Sequence, residues 1–108
     1  MKAWYREAAE NDIIEQFRYY LTDRRLPEIA LRFQESVELT VQFLCNRPLI
    51  GPCVESGASA QKGLRSWPVV GFEAIRIYYQ IESESLKIVR ILHGKRNIPR
   101  ILRSELDP

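Results

Sequence analysis

The spacing of apolar residues changes once along this chain of 108 residues, and that change limits what it can fold into. Up to Asn46 apolar side chains recur every third or fourth residue; from Phe72 they alternate. The first pattern belongs to helices with one buried stripe and the second to strands with one buried face. Ala9, Ile13, Phe17, Tyr20 and Leu21, with Glu10, Glu15 and Arg18 between them, predict a helix of about four to five turns. It starts at Glu7 and ends near Asp23-Arg24-Arg25. Pro27 sits where a first-turn proline belongs and opens a second helix, stopped by Arg47-Pro48 near Asn46. Its stripe is Ala30, Phe33, Val37, Val41 and Leu44.

The remaining elements follow from shorter signals. "KAWY" (2–5) is a brief first strand. Residues 47–62 hold Pro48, Gly51, Pro52 and Gly57 without periodicity and are a loop. "GLRSWPV" is a strand with Pro68 at its end or on an edge. In "FEAIRIYYQIE" (72–82), Ile75, Ile77, Tyr79 and Ile81 point one way and Phe72, Ala74, Arg76, Tyr78 and Gln80 the other. "SLKIVRILH" (85–93) returns after a hairpin-length turn. A turn at Ser83-Glu84 pairs Ile77 with Arg90 and puts His93 on the face of Arg76 and Tyr78. "NIPRILRSEL" forms a short last helix. The expected fold is α+β: a short N-terminal strand, a helical hairpin, a three-stranded antiparallel meander in one small sheet, and a C-terminal helix. The helices cover the Ile75 face; the other face is at least partly open.

Length and composition suit one domain over residues 1–108: hydrophobic residues make up 45% and charged residues 28%. No apolar run approaches the roughly 20 residues of a membrane span, and "MKAWYREAAEND" has no signal-peptide core. The expected location is the cytoplasm, with Cys45 and Cys53 reduced packing residues. One histidine and no C-x-x-C pair give no basis for a metal, and no cofactor is expected.

Charge is unevenly placed. Residues 1–60 carry seven basic and nine acidic side chains, while residues 61–108 carry nine basic and five acidic. No acid lies between Glu84 and Glu105, a span holding Lys87, Arg90, Lys95, Arg96, Arg100 and Arg103. Such a half either meets an anionic partner or solvates a surface.

"AAENDIIEQFRYYL", "ALRFQESVELTVQFL", "GLRSWPVVGFEAIRIYYQI" and "LKIVRILHGKRNIPRIL" follow in one order over nearly the whole chain. In that order they resemble the RelE/ParE superfamily of toxins from type II toxin–antitoxin systems, closer to the ParE or plasmid-stabilisation branch. The resemblance implies a toxin that arrests growth, held by a cognate antitoxin from an adjacent gene in a hetero-oligomer. ParE-type members are associated with inhibition of DNA gyrase. RelE-type members cleave messenger RNA on the ribosome.

The residues speak to that choice. RNA cleavage needs an activated 2′-hydroxyl, a protonated leaving oxygen and cations on the phosphorane. Arg76 and Arg96 match basic positions of the RelE-type active face, and His93 could titrate as acid or base. The position of the RelE-type tyrosine is Leu102, and no tyrosine follows Tyr79. The expected function is therefore target binding, most plausibly of gyrase. The alternatives are a ribosome-dependent endoribonuclease built on Arg76, Arg96 and His93, or a degenerate toxin without activity. The contact candidates are Arg76, Tyr78, Lys95, Arg96, Arg100 and Arg103. If the last segment is helical, Arg96, Arg100 and Arg103 share one face. Trp4 and Trp67 are expected as packing anchors, and Tyr19, Tyr20 and Tyr79 in the core.

Overall fold

The computed structural model describes residues 1–54, 63–94, 96 and 98–106, with 104–106 as backbone alone. Lys2–Tyr5 forms β1, Glu7–Arg18 α1 and Pro27–Asn46 α2. A π-helical turn, Tyr19–Asp23, carries α1 on to the hairpin corner. Arg65–Val69 (β2), Phe72–Glu82 (β3) and Ser85–His93 (β4) form the expected meander, and Ile98–Leu106 is the last helix, α3. β1 adds in parallel to β4, so the sheet has four strands in the order β1-β4-β3-β2. β2 is an edge strand, where Pro68 withholds no interior ladder bond.

The helical stripes fill one sheet face as their spacing requires. Phe33, Val37, Val41 and Leu44 of α2 pack with Ala9 of α1 against Ile75, Ile77, Tyr79, Ile88 and Ile91. The Tyr20, Phe33 and Phe72 rings meet with centroids 5.5 to 5.8 Å apart. Phe72 thus lies on the helix face, against the simple alternation of β3. The register slips between Pro68 and Val69, and Val69 pairs with Phe72 across a turn whose Gly71 has φ 79°. Leu21 is exposed, since the π-turn breaks the 3.6-residue spacing that would have turned it inward. Trp4 is also exposed, with the Lys87 ammonium 5.6 Å from its ring centre.

β4 carries one more residue than its partner. From the Ser83-Glu84 turn the pairing runs Glu82 to Ser85 and Tyr79 to Ile88, but Tyr78 then pairs with Arg90. Val89 is the bulged residue. Beyond it Ile77 faces Ile91, not Arg90, and Ile75 faces His93. His93 therefore lies on the helix face, across the sheet from Arg76 and Tyr78, which corrects the register expected from an unbroken hairpin. One inserted residue reverses the side assignment of everything after it.

β1 stops at Tyr5, and the Arg6 N–H closes the parallel ladder on the Ile88 carbonyl at 3.0 Å. The next outward N–H of β4, that of Ile91, goes instead to Asp12 Oδ2 at 2.9 Å. The Arg90 guanidinium grips the same carboxylate twice, Nε to Oδ2 at 2.7 Å and Nη2 to Oδ1 at 2.8 Å. Asp12 is 6% exposed. Bidentate charge-assisted bonds of this length are among the strong ones.

A second fastening holds the loop after α2. The buried Tyr79 hydroxyl donates to the Pro48 carbonyl at 2.8 Å and accepts the Gly51 N–H at 3.0 Å. Arg65 Nη1 donates to the Leu49 and Gly51 carbonyls at 3.2 and 2.8 Å. Burial raises the Tyr79 phenol pKa, so the hydroxyl remains a donor. A Cβ on Gly51 would meet that hydroxyl and come within 2.7 Å of the Ser66 carbonyl.

Two stability measurements check these joints. Asp12→Ala removes both carboxylate bonds of Arg90 and the acceptor of the Ile91 N–H, and is expected to cost about 3–5 kcal/mol in urea unfolding. Gly51→Ala is expected to cost about 1–3 kcal/mol by displacing the Tyr79 hydroxyl. An unchanged unfolding midpoint in either variant would contradict the role given to that residue.

Candidate target-contact surface

The sheet face away from α1 and α2 is the one on which Arg76 and Tyr78 were expected to stand open. It carries a second, smaller core. Leu64, Tyr78, Val89, Leu92 and Leu102 are buried together, with Val54, Ile98 and Ile101 packed around them. α3 supplies Leu102, which is fully buried. The spacing Ile98, Ile101, Leu102 lays one apolar stripe of the helix on the sheet. Tyr78 is 5% exposed and serves in packing, not as an open contact. Burial raises its phenol pKa, against a lowering pull from Arg76.

Arg76 stands beside this small core. Its Nε and Nη2 donate to the Ser66 hydroxyl on β2 at 3.2 and 2.9 Å, so the side chain is held and half-buried. The group was legible as a strand arginine; its anchor was not, because Ser66 carries no pattern that marks it. Arg100 and Arg103 are exposed on α3, one turn apart. Arg96 precedes α3 and does not share a helical face with them. Its N–H turns back to the His93 carbonyl at 3.1 Å, and its guanidinium lies 3.9 Å from Glu15 of α1. Lys95 lies outside the described residues.

The basic candidates therefore divide between the two sides of the sheet. Arg76 belongs to the α3 side. His93 belongs to the α1 side, in a cleft with Gln16, Tyr19, Tyr20 and Arg24. The trio on which RNA cleavage would rest is not brought onto one face, and Leu102, expected to stand at the position of the RelE-type tyrosine, is packed in the small core. What remains exposed near Arg76 is a basic helix. Among the described residues no group of His, Cys, Asp and Glu gathers as metal ligands. Cys45 and Cys53 are unpaired, the first half-buried and the second exposed. No helix is long and apolar enough to cross a membrane among the described residues.

Comparison with known proteins agrees with this fold. A family model described as the ParE toxin of the type II toxin–antitoxin system, parDE, matches residues 5–98. No curated protein sequence matches the chain. A solved structure described as the chromosomal ParDE TA system from P. aeruginosa superposes with a TM-score of 0.67 at 18% identity. The match covers 86% of this chain and 95% of that one.

Leu102→Ala tests the hold of α3 on the sheet. It removes a fully buried side chain of the helix and is expected to cost about 2–4 kcal/mol. Hydrogen exchange should show the α3 amides losing protection before those of β3. Equal protection in both would place Leu102 outside the small core.

Proposed function

Because the chain belongs to the ParE toxin family of type II toxin–antitoxin systems, we propose that it arrests growth by binding a target rather than by cutting RNA. The target we propose is DNA gyrase, which follows the ParE branch of the superfamily. The observation that carries the choice is the burial of Leu102 in the small core that also holds Tyr78. It fills with apolar packing the place where an RNA-cleaving relative needs a reachable tyrosine. Without that group, and with His93 on the far side, Arg76 is flanked by no acid–base pair among the described residues. The exposed arginines of α3 supply the charge that orients and holds a partner.

Neutralisation by a cognate antitoxin is part of the same proposal. Ile14 and Leu21 on the first helical segment and Leu31 and Leu39 on α2 expose 42–61% of their surface. Apolar surface of that kind on a small domain suits a covering partner. The excess of basic residues after Lys62 suits one with acidic residues. A gyrase target and an antitoxin from the adjacent gene place the protein in the cytoplasm.

Induced expression separates the possibilities. Growth arrest with a DNA-damage response and gyrase-dependent cleavage complexes is expected. Co-expression of the adjacent small open reading frame should relieve it. Rapid loss of messenger RNA with translational arrest would instead make the chain a ribonuclease. Unimpaired growth would make it a degenerate toxin. Within the gyrase outcome, the double variant Arg100→Glu, Arg103→Glu is expected to weaken inhibition by about tenfold, the effect of ~1.4 kcal/mol. Its fold should be unchanged by circular dichroism.

A further inference from the structure

The hairpin corner and the end of β4 enclose a cleft of about 420 Å³ lined by Gln16, Tyr19, Tyr20, Arg24 and His93. The chain that builds it is unusual. The π-turn closes with the Arg24 N–H on the Tyr19 carbonyl at 3.0 Å and is followed by the Leu26 N–H on the Tyr20 carbonyl at 2.8 Å. Between them Arg25 takes a left-handed φ of 54°. Short π segments gather at functional sites, and backbone strain in a non-glycine residue points the same way.

The turn separates two adjacent tyrosines. Tyr20 joins Phe33 and Phe72 in the core, while Tyr19 stays 40% exposed, its ring edge-on to Tyr20 at 5.5 Å. The Tyr19 hydroxyl accepts Arg24 Nη1 at 3.4 Å and so steadies an exposed guanidinium beside the cleft. The Val89 bulge delivers His93 to the same place from β4. Arg96 follows on the chain, 3.9 Å from the carboxylate of Glu15.

We propose that this cleft binds a nucleotide, with Arg24 and His93 on its phosphate and the exposed ring of Tyr19 under its base. A guanidinium, an imidazole and the Gln16 amide come from the hairpin corner, β4 and α1 and can reach several oxygens of one tetrahedral anion. A carboxylate would need only the one fork. The aromatic surface is unnecessary for an acidic side chain, whereas every base offers a π-face to stack on it. The site is separate from Arg76 and α3, so it stands or falls independently of the gyrase proposal.

The sole histidine supplies a clean readout, since its ring protons give one set of NMR signals in the full chain. Titration with adenosine monophosphate is expected to move those signals saturably. Arg24→Ala is expected to weaken binding about tenfold or more and Tyr19→Phe less, while Arg32→Ala, exposed on α2, should bind as wild type. A short oligoadenylate that binds more tightly than the mononucleotide identifies a strand as the source; equal or weaker binding identifies a free nucleotide. The proposal fails if no saturable shift occurs or if Arg24→Ala binds normally. It also fails if inorganic phosphate or a glutamate-rich peptide matches the nucleotide.

Discussion

The Asp12 carboxylate is the joint on which the other contacts depend. β4 is paired on its outer side only as far as Ile88, where β1 ends. Past that point the strand still has backbone to satisfy, and it must also carry a charged Arg90. One carboxylate from α1 meets both needs. It therefore fixes α1 against the sheet by a directional contact, where apolar packing alone would tolerate sliding. The hairpin corner, the cleft beside it and the far end of β4 take their positions from that contact.

The two faces of the sheet then differ in kind. The helical face has a broad core with aromatic rings from three elements. The opposite face has a small core closed by one short helix. Arg76 stands beside the smaller core, braced by Ser66, with Arg100 and Arg103 exposed on the helix that closes it. A face made this way is basic outside and apolar beneath. Among the described residues it gathers no acid and base.

Much of the fold was legible in the sequence because periodicity reports burial directly. The start of α1, the whole of α2 and the limits of β3 and β4 follow from it, and the β1 bounds from a short aromatic run. Three features were not legible. Asp12 sits at stripe spacing with Ala9 and Gln16, yet a polar residue there reads as a boundary until its partner is known. That partner, Arg90, is 78 residues away in sequence. Tyr78 read as outward because alternation assigns a face, and cannot say whether a later helix will cover it. His93 was assigned to the wrong side because a bulge leaves no trace in alternation when Ile88, Val89, Ile91 and Leu92 are all apolar.

That bulge has a further meaning. Strand alternation has only two phases, so a chain that must place a hydrophobic residue inward and a functional one on a chosen side is bound by parity. Val89 is a one-residue phase change between two correctly paired halves of the same strand. It lets the hairpin near the turn and the strand end near α1 obey separate constraints. Within a fold of this outline, the side on which the strand-end histidine appears is decided by a count of residues, not by their kind.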